Sequence, residues 1–412
     1  RWLIVMPIFR RLAPRELAPA TLHAGDPARD SMVGRPGQPG AAKVLFQPAA
    51  PPPAPDLHGK WVHSKAVAQT GSYAICYAVS TGPDPLGSYY RYEFLRPLFP
   101  DYPRPAIWPD GYYVTTSTGD KVIQRHVCVV ERAKMLEGKS AQEQCVIVDG
   151  VNFMISADLD GNRLPPKGTP EIVIAAGGSQ LHGVTQDDGL YVWKFHVDWT
   201  NPKRTRLTGP TKLKVMPYAY LCGGQLTQCV PQPGTKQRID SQGDKIMQRF
   251  TYRRFEHHQS LIAVQSVNTA SGGGIRWYEL RLNRMGNPYV YQQGTYAPDG
   301  DYRWMPSAAM DHYGDIGIGY SFGGPDDFVG QRFVGRLAGD PLGKLTLAEK
   351  VLVYGQAAQT STLRWEDYTQ TAVDPSDDCT IWYVGDYLRR GDANYSSRIG
   401  AFRMGPCDRK AE

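Results

Sequence analysis

From Asp56 onward, the chain consists of short runs that alternate apolar and polar residues or are wholly apolar. Each run spans about five to eight residues and is bounded by Gly, Pro, Asp or Asn, which is the pattern of β-strands joined by turns. Segments with a helical pattern are few and short. Clear strand-like runs are SYAICYAVS (72–80), YVWKFHV (191–197), IRWYELRL (275–282) and TIWYVG (380–385). The pattern predicts an all-β protein.

The composition agrees with many turns around a substantial apolar core. Among 412 residues there are 43 Gly, 33 Pro and 24 Tyr, and hydrophobic residues make up 41%. The formal net charge is +6 and no long Lys/Arg run occurs, so we expect no nucleic-acid partner. No apolar run approaches the roughly 18 residues that a membrane-spanning helix requires, so we expect no transmembrane segment.

An Asp-Tyr pair recurs at three places, with Asp101, Asp301 and Asp367 each followed by Tyr ahead of a strand-like run. The spacing between these recurring pairs is irregular, and the segment between one pair and the next holds several strands. Radial repetition of small antiparallel sheets is the β-propeller architecture. The sequence therefore predicts a β-propeller of about six or seven blades over residues 56–407. In it, each Asp-Tyr pair stabilises the start of a blade, or its carboxylate meets a ligand at the channel mouth.

Residues 1–55 differ from the rest and predict a Pro- and Gly-rich N-terminal extension or linker. QPAAPPPAP (47–55) has polyproline character, and proline cannot donate the hydrogen bonds of a central strand. The run WLIVMPIF (2–9) is too short to span a bilayer and reads as an export-signal remnant or a surface helix. We expect residues 1–57 to pack outside the propeller or against a partner protein. Residues 408–412 form a polar tail.

The seven cysteines predict a disulfide framework. Cys222 and Cys229 bracket a Gly-rich loop, and Cys128 and Cys145 flank another. Cys379 and Cys407 lie in the last two strand regions, so three bridges would leave Cys76 over. Such a framework is typical of a secreted, cell-surface or periplasmic protein. Buried free thiols in a cytosolic protein are the alternative, since spacing alone does not fix connectivity.

Several long stretches resemble a family of exported bacterial proteins, common in acidobacteria and other soil lineages, with a sialidase-like β-propeller. The resemblance covers roughly residues 56–407. It is carried by DYPRPAIWPDGYYVTTS (101–117), QQGTYAPDGDYRWMPSAAMDHYGDIGIGYS (292–321) and RWEDYTQTAVDPSDDCTIWY (364–383), among others. The resemblance implies a propeller fold and export, and it assigns no reaction. Family members have a longer N-terminal part that contains a Cys, which implies a partner for Cys76 outside the matching region.

Sialidase-like propeller enzymes surround the channel with an Arg cluster, a Tyr–Glu pair and an Asp acid. Here Arg253, Arg276, Arg303 and Arg364 lie near blade-like strands, as do Glu256, Glu279 and Glu366. Glycoside hydrolysis needs two carboxyl groups about 5–9 Å apart, and no spacing in the sequence fixes such a pair. A glycoside hydrolase therefore stays the alternative hypothesis.

We predict a ligand site at the channel mouth, on loops that carry Asp101, Arg303, Arg364 and Asp367. The opposing interpretation is that these Arg and Asp side chains only neutralise each other. Adjacent aromatic residues, such as Trp382–Tyr383, place one ring on each face of a strand, and an outward ring can stack on a sugar.

The segment DLDGN predicts a structural Ca²⁺ site at Asp158, Asp160 and Asn162, because alternating carboxylates before Gly open many calcium loops. The alternative is an ordinary Asp/Gly turn. We expect no other cofactor. The sequence as a whole predicts an exported propeller that acts as a non-catalytic binding or assembly module, with carbohydrate as a possible ligand.

Overall fold

The computed structural model describes residues 3–8, 44–46, 71, 73–118, 124–151, 153–178, 188–225, 228–392 and 394–409. It divides into two compact units. The first comprises residues 1–149 and 194–209, and the second comprises residues 150–193 and 210–412. The chain passes between the units after Asp149 and again within strands β11 (Leu190–His196) and β12 (Arg206–Leu213). Two 3-10 turns, Pro202–Arg204 and Leu221–Gly224, follow these strands in turn.

The first unit contains two four-stranded sheets. One has the order β1-β3-β4-β2 and the other the order β5-β6-β7-β8. Its elements are β1 (Leu3–Ile8), β2 (Val44–Phe46), β3 (Tyr73–Ser80), β4 (Tyr89–Arg96), β5 (Pro100–Trp108), β6 (Gly111–Thr118), β7 (Gln124–Val130), α1 (Arg132–Leu136) and β8 (Glu143–Ile147).

The second unit is built of antiparallel meanders together with one parallel pair, β9 with β15. Its largest sheet has eight strands in the order β12-β11-β10-β9-β15-β16-β17-β18, and β11 and β12 each lie partly in the first unit. The other sheets have the orders β13-β14, β19-β20-β21-β22 and β23-β24-β25. The strands are β9 (Ile155–Asp160), β10 (Glu171–Ala176), β13 (Val230–Gln232), β14 (Thr235–Ile239), β15 (Phe250–Arg254), β16 (Gln259–Asn268), β17 (Gly273–Leu282), β18 (Pro288–Tyr296), β19 (Tyr302–Met310), β20 (Ile316–Gly323), β21 (Gly330–Arg336), β22 (Lys350–Val353), β23 (Gln370–Val373), β24 (Ile381–Tyr387) and β25 (Ser396–Phe402).

The predicted fold class is confirmed: the protein is all-β, and its three- and four-stranded meanders are the units from which propeller blades are made. Each Asp-Tyr pair lies at or just before the first strand of a sheet. Asp101 and Tyr102 are in β5, Tyr302 begins β19, and Tyr368 precedes β23 by two residues. The number of blades stays a prediction.

The N-terminal segment contributes two strands. Residues 3–8 form strand β1 and not a surface helix, because β1 pairs with β3 along its whole length, from Leu3 opposite Val79 to Ile8 opposite Ala74. Strand β2 likewise pairs with β4. The domain boundary after residue 55 stays a prediction. The Pro-rich stretch 47–55 lies outside the described residues.

All three predicted disulfides are confirmed. They join Cys128 to Cys145, Cys222 to Cys229, and Cys379 to Cys407. The first links directly opposed residues of β7 and β8. Cys76 lies in β3 and takes part in none of these three disulfides. Within the described part of the chain, no helix is long and apolar enough to cross a membrane.

The sheet β23-β24-β25 packs one face on the sheet β19-β20-β21-β22. Phe402 stacks on Phe333 with ring centroids 4.0 Å apart. Gly319 of β20 has to be glycine, because a Cβ there would lie 2.4 Å from the Tyr383 ring of β24. This close approach explains why the run IGIGYS combines strand pattern with glycine.

Candidate functional site

The segment between β22 and β23 carries an exposed Arg–Asp pair. Nη2 of Arg364 donates to both carboxylate oxygens of Asp367, at 2.8 Å each. The two side chains are 55% and 36% exposed. Glu366 lies between them in the left-handed region, with φ of 28°, and its side chain is buried. The sharp local turn thus presents the charged pair to solvent.

A buried polar loop after β14 supports this pair from below. Nε2 of Gln242 donates to Asp367 Oδ1 at 2.9 Å, and Nε of Arg364 lies 3.5 Å from Asp240 Oδ2. The backbone N–H of Asp240 donates to the carbonyl of Leu363 at 3.0 Å, which joins the two segments directly. Asp240 is fully buried. The contacts fix the geometry of the exposed pair.

Lys245 extends this support. Its Nζ donates to Gln242 Oε1 at 2.6 Å and lies 2.5 Å from an oxygen of Asp244. The ammonium is also 4.1 Å from the ring centroid of Phe153, within cation–π range. A buried lysine with these partners keeps its charge balanced and holds the Gln242 amide so that its NH₂ group faces Asp367.

Two carboxyl groups beneath the surface have raised pKa values. Burial raises the pKa of Asp240 to about 6, although the Arg364 charge opposes the shift. Burial and the nearby Asp386 charge raise the pKa of Glu366 to about 8. The Glu366 carboxyl also accepts from Ser321 Oγ at 2.6 Å and from the N–H of Asp386. Glu366 is therefore largely protonated at neutral pH.

Two tyrosines complete the surface around the pair. Tyr368 and Tyr395 are each 42% exposed. Tyr395 packs edge-on against the fully buried Trp365, with centroids 5.9 Å apart. Partial burial and the charges of Asp386 and Asp367 raise the pKa of Tyr395. An aromatic ring with one packed edge and one exposed face is suited to stacking on a ligand.

Arg303 does not share this arrangement. It is fully buried and donates to both oxygens of Asp299, at 2.6 and 2.9 Å, and of Glu349, at 2.7 and 3.1 Å. Two bidentate carboxylate partners occupy its guanidinium. For Arg303, the neutralising interpretation therefore describes the geometry better than the ligand-binding one.

The same network contains a Tyr–Glu pair. Tyr320 donates to Glu349 Oε1 at 2.5 Å, and Arg332 donates to Glu349 Oε2 at 2.6 Å. The residue types match those of a sialidase nucleophile with its arginines. However, Tyr320 is fully buried, and Arg303 is occupied by protein carboxylates. The pair has no access for a substrate carboxylate in this conformation.

Asp101 belongs to the first unit. Its Oδ1 accepts the backbone N–H of Tyr102 at 2.8 Å, which is the turn-stabilising role of an Asp at a strand start. That Asp101 shares a site with Arg303, Arg364 and Asp367 stays a prediction. Of these four residues, the structure brings together Arg364 and Asp367.

The predicted calcium loop is organised around an arginine. Nε of Arg249 donates to Asp158 Oδ2 at 2.6 Å, and its Nη2 donates to Asp160 Oδ1 at 2.8 Å. Asn162 is exposed in the following turn. A guanidinium thus supplies positive charge beside these two carboxylates, and the Ca²⁺ site stays a prediction. Among the described residues, the group whose ligand atoms lie close enough for a metal is Cys128, Glu143 and Cys145, and its two sulfurs form a disulfide.

Sequence reasoning identified Arg364, Asp367 and Glu366 but missed Asp240, Gln242 and Lys245. Residues 240–250 are buried throughout although seven of the eleven are polar, so no hydrophobic period marks the segment. The available signal was the density of polar residues in DSQGDK between two strand-like runs.

No family model matches the chain, and no curated protein matches it. Among solved structures, it is similar to a protein of unknown function from Dyadobacter fermentans, at 12% identity and a TM-score of 0.39 over 75% of this chain and 85% of that one. It is also similar to an α-L-arabinofuranosidase from Fusarium graminearum, in complex with an iminosugar inhibitor and, in a second structure, with arabinobiose. Both of these matches have 11% identity and a TM-score of 0.36, over 74% of this chain and 93% of theirs. Likenesses at this level define neither the site nor the activity of this chain.

Proposed function

We propose that this protein is a non-catalytic carbohydrate-binding module whose site is the exposed Arg364–Asp367 pair with Tyr368 and Tyr395. The observation that carries the proposal is the exposed charged pair held on a buried hydrogen-bonding base beside two half-exposed rings. A guanidinium donates to sugar hydroxyls, a carboxylate accepts from them, and a tyrosine face packs on the C–H face of the ring. Few, fixed polar groups beside aromatic surface are typical of such sites.

Binding is better supported than hydrolysis because of the exposure of the carboxyl groups. A glycosidase places two carboxyls on either side of the scissile bond, about 5–9 Å apart. Here Asp367 is exposed, whereas Asp240 is fully buried and Glu366 is 5% exposed. One accessible carboxylate can orient a sugar but cannot supply both an acid and a base.

Glycoside hydrolysis is the second candidate, favoured by one observation. Asp240, with a pKa of about 6, lies behind Arg364, close to the range of a general acid. Movement of Arg364 on binding would bring this carboxyl to the surface. Release of reducing ends from xylan, cellulose and arabinan by the wild type, absent in Asp240→Asn, would favour this function over binding alone.

We also propose that the protein acts in an oxidising compartment, either secreted, at the cell surface or in the periplasm. Three disulfides support this, since such bonds persist outside the reducing cytosol. We further propose that the N-terminal 57 residues dock on a partner protein. Within that segment, β1 is already paired with β3 of this chain.

A glycan array tests the proposed function. We expect the wild type to bind at least one glycan class and Arg364→Ala to lose that binding. Arg163→Ala is the matched control, because Arg163 is exposed in the turn after β9. Equal binding by the wild type and a folded Arg364→Ala variant would contradict the proposal, as would a wild type that binds no glycan.

A further inference from the structure

The sheet β23-β24-β25 has a second face, whose side chains belong to none of the hydrophobic clusters of the described residues. Side chains alternate along β24, so Tyr383 packs inward while Trp382 and Val384 point the other way. On β25, Ile399 lies opposite Val384, and Ala401 lies opposite Trp382. We call Trp382, Val384, Ile399 and Ala401 the Trp382 face. Trp382 is 44% exposed and Ile399 is 65% exposed.

The Trp382 ring is held in place. Its indole N–H donates to Asp374 Oδ2 at 2.9 Å, and Asp374 Oδ1 accepts from Ser376 N–H at 2.9 Å and Ser376 Oγ at 2.6 Å. The hydrogen bonds from Ser376 and Trp382 lower the pKa of Asp374, so the acceptor stays ionised. Because the N–H is engaged, the exposed surface of the ring is apolar. A ring fixed in this way loses little conformational entropy when a ligand stacks on it.

The Trp382 face is continuous with the candidate site. Its polar end is formed by Asp386 and Ser397, whose Oγ donates to Asp386 Oδ1 at 2.8 Å. The backbone N–H of Asp386 donates to Glu366, the residue between Arg364 and Asp367. Asp386 and Trp382 are four strand residues apart, which is about 13 Å. Tyr395, which borders the candidate site, directly precedes β25.

We infer that the Trp382 face is a second subsite, which binds further sugar units of an extended oligosaccharide whose first units occupy the Arg364–Asp367 site. This inference rests on the proposed function and specifies its ligand as a chain of several sugars. The alternation of polar and apolar groups along the face matches the hydroxyl edges and C–H faces of such a chain.

The size of the face favours a glycan over a protein partner. A stable protein interface uses about 20–30 residues on each side. The Trp382 face offers four apolar side chains, and charged groups border it at both ends, with Asp386 at one and Arg403 paired to Asp377 at the other. Four side chains are too few for a stable protein interface but enough to stack on one or two sugar rings.

The test compares xylo-, cello- and arabino-oligosaccharides of one to six units by calorimetry. For the series that the wild type binds, we expect affinity to rise with length. Trp382→Ala should weaken the binding of the longest oligosaccharides about three- to tenfold, because a stacked aromatic contact contributes roughly this much to affinity. The shortest members should bind unchanged, and Trp382→Phe should restore part of the loss. Arg364→Ala should weaken the binding of oligosaccharides of every length.

The outcomes separate the two proposals. If Trp382→Ala binds every length as the wild type does, while Arg364→Ala binds none, the second subsite is refuted and the proposed function stands. If the wild type binds no oligosaccharide, the proposed function itself fails. If Trp382→Ala abolishes self-association in sedimentation experiments and leaves oligosaccharide binding intact, the face is a protein contact and the inference is overturned.

Discussion

Nη2 of Arg364 lies 2.8 Å from each carboxylate oxygen of Asp367, three residues further along the same turn. This contact is local, yet both side chains are also held by a loop more than 100 residues earlier, since Gln242 binds Asp367 and Asp240 lies behind Arg364. The pair is exposed but fixed from below, which is the property that distinguishes it from the buried Arg303 network.

Two arginines should respond very differently to truncation. Arg364→Ala should lower the free energy of unfolding by only about 1 kcal/mol, because its ion pair with Asp367 is exposed and its contact with the buried Asp240 is long, at 3.5 Å. Arg249→Ala should cost about 3–5 kcal/mol, because it leaves the buried Asp158 and Asp160 carboxylates uncompensated. Urea denaturation of both variants measures this. Equal losses would contradict the assignment of one pair to the surface and the other to the core.

Glu366 should make stability fall as pH rises. Its pKa is raised from 4.5 to about 8 in the folded state, so the folded protein holds a proton that the unfolded chain releases. The stabilising effect is complete below pH 4.5 and is lost as pH rises to about 8, at a slope of up to about 1.4 kcal/mol per pH unit. Denaturation at pH 5, 7 and 8.5 should show this trend in the wild type. The fall in stability with pH should be weaker in Glu366→Gln. If the wild type and the variant show the same dependence of stability on pH, Glu366 titrates with its ordinary pKa.

The disulfides should differ in their contribution according to loop length. Cys379–Cys407 spans 28 residues and Cys222–Cys229 spans 7. Loop-closure entropy then gives about 3.6 kcal/mol for the first and about 2.4 kcal/mol for the second. The double Ser variant at 379 and 407 should therefore unfold at lower denaturant than the double Ser variant at 222 and 229. The reverse order would mean that native-state contacts outweigh loop entropy.

Calcium should not affect stability through the DLDGN loop. Arg249 already balances Asp158 and Asp160, so an ion would have to displace a buried guanidinium. We expect the same Tm in excess EDTA and in millimolar CaCl₂. A rise in Tm with calcium that disappears in Asp160→Asn would restore the calcium prediction.

The sequence predicted the features that arise from local pattern. Strand periodicity located the β-runs, and the Asp-Tyr repeat marked the first strands of sheets, since turn chemistry and alternation act over a few residues. Two disulfides were predicted from cysteines that flank a loop, and the third from cysteines in the last two strand regions. The Arg364–Asp367 pair could also be predicted from the sequence, because the two residues lie three positions apart.

Features that depend on distant partners were missed. Arg249 is 89 residues from Asp160, so the DLDGN segment by itself reads as a cation loop. Gln242 is 125 residues from Asp367, and nothing in its neighbourhood marks it as part of a site. The segment Leu3–Ile8 was interpreted as a helix or an export remnant because its strand partner, Tyr73–Ser80, follows a long Pro-rich stretch. Each of these contacts is created by tertiary structure alone.

The pairing of β1 with β3 sets an order of assembly for the first sheet. Strands β3 and β4 are joined by the eight residues 81–88, whereas 65 residues, 9–73, separate the paired Ile8 and Ala74. Because the entropy lost on closing a chain grows with its length, the β3–β4 hairpin forms first and β1 is added later. During that interval, the β3 edge is a template for any matching strand. At high concentration, the β1 strand of another molecule can take this place, so refolding yield should fall with protein concentration through strand exchange.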